Sequence, residues 1–188
     1  GVSRAYVLEK ILKKLKKKTN IISTTGYTSR ELHQIRKMKG ITKGKDFYMI
    51  GAMGHSSMVA LGSSLHSKNH TLCLDGDGAI LMHLGALSLS GNLANKNFKH
   101  IILNNSSHES VGGQKTLAEK IDFKSLSYSL GYKKYYQALK KSIFDKKLIS
   151  FLNKSGPSLF EIKIKSGVLK SLTRPNNLIN VKKNFQKS

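Results

Sequence analysis

The stretch Leu74-Asp75-Gly76-Asp77-Gly78-Ala79, followed after residues 79–103 by Asn104-Asn105, decides the fold. Residues 71–74 form a short apolar run that reads as a buried strand ending at Asp75. Two glycines then allow a tight turn, and an apolar helical run over 79–90 begins at once. A helix N-terminus at that point exposes N–H groups, which makes it an anion site. Asp77 in the turn adds a hard oxygen ligand, which suits Mg²⁺ holding a diphosphate. The helix returns the chain by a right-handed crossover to a parallel strand over 100–103. Asn105 therefore emerges at the same sheet edge, placed to offer a second oxygen to the same cation. Ligands of open α/β sheets gather at that edge.

The same alternation extends in both directions. Upstream, Leu8, Ile11, Leu12 and Leu15 have helical spacing behind Ser3 as N-cap, and residues 20–24 read as a strand. Thr28 and Glu31 form a capping-box pair for a second helix that ends near Gly40. A strand over 47–50 leads into Gly51-Ala52-Met53-Gly54 and a helix through Met58, Leu61 and Leu65. Downstream, Asp122 caps a helix that stops at Gly131, Tyr135-Tyr136 lie in a strand, and 142–153 is amphipathic before Gly156-Pro157. Residues 159–164 alternate like a final strand, and a polar, irregular tail occupies 167–188. Repeated strand–helix alternation predicts an α/β fold: a doubly wound, mostly parallel sheet with helices on both faces. The chain reads as one domain over 1–188, without repeats or an internal linker.

The helix over 79–90 carries Ile80, Leu81, Met82, Leu84, Ala86, Leu87 and Leu89 around nearly its whole circumference. That pattern predicts burial on all sides, and hence a partner surface to cover it.

The charge is lopsided. Lys+Arg 33 against Asp+Glu 10 gives +23, a field that draws polyanions. The arginines are only Arg4, Arg30, Arg36 and Arg174, and many lysines fall on polar helix faces, so the basic residues read as a solvated surface rather than a nucleic-acid groove. A basic nucleic-acid-binding domain remains a rival reading, with affinity that falls steeply with salt. No apolar run approaches the roughly 18 residues of a membrane span. Cys73 is the only cysteine, lies between Leu72 and Leu74, and reads as a core residue of a cytoplasmic protein. His33, His66, His70 and His100 read as surface or packing residues.

Taken together, the Gly76-Asp77-Gly78 turn and the Asn104-Asn105 pair resemble the signature of thiamine-diphosphate enzymes. Thr24-Thr25-Gly26-Tyr27-Thr28-Ser29-Arg30-Glu31-Leu32, Gly51-Ala52-Met53-Gly54-His55 and Ser106-Ser107-His108-Glu109-Ser110-Val111-Gly112-Gly113-Gln114-Lys115-Thr116 narrow it. With Pro157-Ser158-Leu159-Phe160-Glu161 and Arg174-Pro175, they resemble the C-terminal, diphosphate-binding half of the phosphonopyruvate decarboxylases. Ser106 stands where that family usually has glycine, and Thr173 likewise.

The resemblance implies thiamine diphosphate and Mg²⁺ as cofactors, with Asp77, Asn105 and the Ser107 carbonyl as metal ligands. Thr25, Gly26, Gly76, Gly78 and Ala79 would line the cofactor, the Gly51 carbonyl would accept from its aminopyrimidine, and Met53 would hold its bent shape. His108 and Glu109 are the candidate catalytic pair, since a histidine titrates near working pH. The implied reaction decarboxylates a small 2-oxoacid, 3-phosphonopyruvate first and sulfopyruvate as the alternative. The glutamate that activates the cofactor belongs, in this superfamily, to a pyrimidine-binding domain that no segment here resembles. The expectation is therefore a partner domain or subunit and a homo- or hetero-oligomer.

Overall fold

The computed structural model describes residues 1–187. After the two-residue strand β1 (Val2–Ser3), the Ser3 hydroxyl accepts from the Tyr6 N–H and starts α1 (Arg4–Lys14). Then come β2 (Thr19–Ser23), α2 (Tyr27–Lys39), β3 (Lys45–Tyr48), α3 (Ser56–His66) and β4 (His70–Gly76). The helices α4 (Asp77–Met82) and α5 (Ala86–Leu93) lead to β5 (Phe98–Asn104). The chain continues with α6 (Phe123–Ser129), β6 (Lys134–Ala138), α7 (Lys141–Asn153), β7 (Ser158–Lys165) and α8 (Leu178–Gln186).

All these strands pair in parallel, in the order β1-β7-β5-β4-β2-β3, with β6 also on β7. Alternate residues feed two cores, one on each face. Ile21, Leu72, Leu74, Ile101 and Phe160 face α1, α2 and α7, while Ile22, Cys73, Ile102 and Leu159 face α3, α5 and α6. Leu8, Ile11 and Leu12 are fully buried, each contributing about 1.5–3 kcal/mol. The sheet is doubly wound, as the alternation predicts. The register matters most between β4 and β5: Gly76 lies opposite Leu103, so Asp77 and Asn105 leave the sheet side by side.

Three local expectations are corrected. Helix α2 begins one residue before Thr28, so its N-cap is Gly26, without a side-chain cap, and no capping box forms. Glu31 is instead buried, accepting from the Leu169 N–H at 2.8 Å and lying 3.7 Å from Arg4. The helix expected over 79–90 is two helices broken at His83, where the backbone leaves helical geometry. The loop before α3 presses on that turn: a Cβ at Gly54 would lie 2.7 Å from His83 Nδ1. Met82 and Leu89 are about half exposed, so this chain alone does not cover the segment. The tail is not wholly irregular either, since α8 packs on β3 with Phe185 5.4 Å from Phe47. Lys99, on β5, is buried: its ammonium donates to the Lys154 carbonyl and, at 3.3 Å, to Ser158 Oγ.

Candidate cofactor and metal site

Asp77 opens α4 at the carboxyl end of β4 and is 1% exposed. Thr116 Oγ1 donates to its Oδ2 at 2.5 Å, and the Asn105 N–H approaches its Oδ1 at 3.4 Å. Burial holds this carboxyl above its usual range, against the pull of those bonds. A cation beside it would relieve that cost.

The two asparagines diverge. Asn104 is buried, donates to Glu161 Oε1 at 2.7 Å and accepts from the Ser106 N–H at 3.0 Å, so it ties β5 to β7. Asn105 turns to the cleft: its Oδ1 accepts from the Ser107 N–H at 3.2 Å, and its Nδ2 donates to Glu109 at 3.1 Å. Ser106 holds the intervening turn at φ 57, a left-handed position that favours glycine. Its hydroxyl accepts from Lys163 at 2.5 Å.

The segment that follows is a closed loop. Ser107 bridges to Lys115, the Thr116 N–H donates to the Ser106 carbonyl at 3.0 Å, and the His108 N–H to the Gln114 carbonyl at 2.8 Å. This closure carries Thr116 to Asp77. It also sets the His108 ring directly on Gly78, where a Cβ would lie 2.5 Å from the imidazole. A side chain at this position would force the ring aside. Glu109 is engaged from three sides, by the Arg4 guanidinium, the Gly167 N–H and Asn105.

Most of the expected residues line one cleft with about 440 Å³ of open space: Thr25, Met53, Gly76, Asp77, Gly78, Ala79, Asn105, Ser107, His108 and Glu109. Gly26 and Gly51 line an adjoining cavity that shares Thr25. Arg4, Thr24 and Tyr27 join the first cleft. Arg4 was missed because no local pattern links it to the motif, and Thr116, at the end of the run after Asn105, was given no role because its bond to Asp77 is a tertiary contact.

The cleft fits a metal-bound diphosphate. Asp77, Asn105 and the Ser107 carbonyl offer only oxygen, the donor set of Mg²⁺ rather than of zinc. Helices α2 and α4 both start at the cleft behind a glycine N-cap; at α4 the N–H groups of Asp77 and Gly78 face the Asp77 carboxylate, while the first-turn N–H groups of α2 have no capping side chain and suit an anion. The buried Thr24 hydroxyl has no partner among the described residues. By contrast, the cluster of Cys73, Asp75 and His100 is wholly buried behind the cleft. His100 bonds there to Tyr132 at 2.8 Å and Asp75 at 3.3 Å, and Ser56 donates to Asp75 at 2.8 Å. His100 is thus a packing residue in a polar network.

The model of the thiamine pyrophosphate enzyme C-terminal TPP binding domain matches residues 24–162. The chain belongs to the thiamine pyrophosphate enzyme family. Among relatives of this thiamine pyrophosphate enzyme domain, the phosphonopyruvate decarboxylase of Streptomyces viridochromogenes is 35% identical over 173 residues, 92% of this chain and 42% of the relative. The sulfopyruvate decarboxylase subunit beta of Methanocaldococcus jannaschii is 37% identical over 113 residues, 60% of this chain and 57% of that subunit. The chain thus spans less than two thirds of either relative. The X-ray structure of a Mycobacterium smegmatis protein, described as a candidate thiamin diphosphate-dependent enzyme, shares the fold. Its TM-score is 0.71 at 15% identity, covering 88% of this chain and 32% of that one.

Proposed function

We propose that this chain is the diphosphate-binding half of a thiamine-diphosphate-dependent 2-oxoacid decarboxylase whose substrate is 3-phosphonopyruvate. The products would be carbon dioxide and phosphonoacetaldehyde, one proton being taken up in place of the carboxylate. The observation that carries the reading is the meeting of Asp77, Asn105 and Ser107 in one cleft within a chain 35% identical, over 92% of its length, to a phosphonopyruvate decarboxylase. Bound there, the cofactor would supply the electron sink for the departing carboxylate.

This chain's own residues would do the holding. Asp77, Asn105 and the Ser107 carbonyl take the cation, and the start of α2 takes the diphosphate. Gly51 and Met53 orient the ring system. His108 lines the cleft with its ring fixed on Gly78, and is the group proposed to move a proton. Glu109 serves best as a positioning residue: it accepts from the Asn105 amide nitrogen, which leaves the second lone pair of Asn105 Oδ1, beside the bond from the Ser107 N–H, for the cation. The pyrimidine-binding domain lies on another segment or subunit, and the assembled enzyme is an oligomer in the cytoplasm.

The test is Asp77→Ala, assayed by cofactor titration with and without Mg²⁺. Mg²⁺-dependent affinity should vanish while the far-UV circular dichroism is retained. An Asp77→Ala protein with unaltered affinity would remove the reading. The sulfopyruvate reading is favoured by the 37% identity to a sulfopyruvate decarboxylase subunit. Relative kcat/KM on the two oxoacids, in the enzyme assembled with its pyrimidine domain, separates them.

A further inference from the structure

The chain has 33 lysines and arginines, yet Arg4, Arg30, Arg36 and Arg174 are its only arginines. The protein therefore places guanidinium groups sparingly, and where they stand is informative. Arg36 grips Asp46 with two bonds of 2.6 Å, and Arg4 pairs with Glu109 and Glu31. Both have a structural employment. Arg30 and Arg174 have no carboxylate partner among the described residues; the Arg30 guanidinium lies 5.7 Å from the Tyr27 ring centroid.

These two unpaired arginines, from the first turns of α2 and from the segment before α8, line the same cavity. It has about 460 Å³ of open space, and its other lining residues include Thr25, Gly26 and Gly51; Gly51 is also the proposed contact of the aminopyrimidine, so the arginines border the place of the cofactor ring. No aspartate or glutamate lines it. Two arginines that line a shared space without a carboxylate make it electropositive, which favours an anion there. Arginine forks match the oxygens of phosphorus and sulfur oxyanions better than lysine does. The neighbouring cleft has its own means of holding a diphosphate, through a metal at Asp77 and Asn105. The cavity shares Thr25 with that cleft, so an extended ligand would reach from one to the other.

We propose that Arg30 and Arg174 form a second anion site, which takes the tetrahedral oxyanion end of the substrate. The proposal rests on the decarboxylase function and names the residues that select its substrate. It assigns specificity to the tail segment, far in sequence from the metal motif. Arg174 enters the site only because α8 packs on β3 and anchors the segment that carries it.

The test uses methylphosphonate, a tetrahedral oxyanion without the 2-oxoacid, titrated into the chain and followed by the arginine Nε–H resonances. Saturable shifts should appear at Arg30 and Arg174, with acetate binding more weakly. Arg30→Gln and Arg174→Gln should each lower methylphosphonate affinity about tenfold, the loss expected for a charge-assisted fork. Thiamine diphosphate affinity with Mg²⁺ should stay within about twofold in both. Arg174 is exposed, so its variant keeps the test valid if Arg30→Gln unfolds. Methanesulfonate bound as well as methylphosphonate would support the oxyanion site and move the substrate to the sulfonate class. Undisturbed resonances, or affinity untouched in both variants, would overturn the proposal. So would a parallel loss of thiamine diphosphate affinity, because the anion would then be the cofactor's. If the cofactor reading alone fails, methylphosphonate still binds the arginines while Asp77→Ala changes nothing.

Discussion

Arg4→Met tests whether the buried ion cluster beneath the cleft holds the site together. Arg4 is 5% exposed, Glu31 1% and Glu109 18%. Methionine keeps much of the stem's packing but leaves both carboxylates without their cation. Removing one partner of a buried pair costs about 3–5 kcal/mol, a large share of the 5–15 kcal/mol typical of a domain. The pH dependence carries a definite sign. Burial already holds Glu31 above its ordinary 4.5, opposed by the Leu169 N–H and by Arg4. A carboxyl raised in the folded state contributes stability below its unfolded value, and loses it as pH rises through its folded value. Loss of Arg4 lifts Glu31 further, so the cost should be small near pH ~4 and full near pH ~7. Urea unfolding at both pH values measures it, and Arg4→Met with Glu31→Gln should recover most of the loss. Since Glu109 would no longer be clasped, the Asn105 amide would be less well oriented, and Mg²⁺-dependent cofactor affinity should fall about tenfold. A cost below about 1 kcal/mol near neutrality, or one equal at both pH values, would refute the reasoning.

Lys99 makes a second pH prediction. Burial pushes its ammonium down to about 8, from 10.5, helped by Lys134 and Lys16. A depressed lysine penalises folding fully below its folded value, and the penalty fades between about 8 and 10.5. Against Lys99→Met, the wild type should therefore gain up to about 3 kcal/mol across that window; a constant gap in urea unfolding would contradict it. Gly91→Ala would set a Cβ 2.0 Å from the Leu130 carbonyl oxygen, a backbone atom that cannot swing aside. A loss of about 1–3 kcal/mol is expected, seen as a melting point lower by roughly 3–10 °C, and an unchanged melting point would show that α5 shifts freely.

The sequence made the sheet edge legible because local rules decide it. A strand, a glycine turn, a helix and a second strand fix Asp77 and Asn105 at one edge whatever the rest of the chain does. Residues whose placement depends on tertiary closure were not legible. Thr116 reaches Asp77 only because Ser107 and Lys115 pair, and Arg4 reaches Glu109 only because α1 packs beside the cleft. The break at His83 was hidden for a related reason. Apolar residues continue through the turn, so periodicity gives no stop signal, and the Gly54 backbone that presses there is 29 residues away in the chain. Helix α8 escaped although Leu178, Val181 and Phe185 have helical spacing, because the run is short and its support, Phe47 on β3, is remote.

The location of the carboxylates bears on the +23 charge. Of ten Asp and Glu residues, Glu31, Asp75, Asp77 and Glu161 are buried, while Asp46 and Glu109 are clasped by arginines. Asp75, Asp77 and Glu109 lie at or next to the turns that follow β4 and β5. The outer surface is thus left mainly to lysines. A basic groove for nucleic acid needs cations where the phosphates lie, with no carboxylate at its floor. Here the floor of the main cleft is acidic and its surroundings are basic. That arrangement suits a ligand carrying both signs, a polyanion with its divalent metal: the lysine field would draw the anion in, and Asp77 would meet the cation under the proposed function.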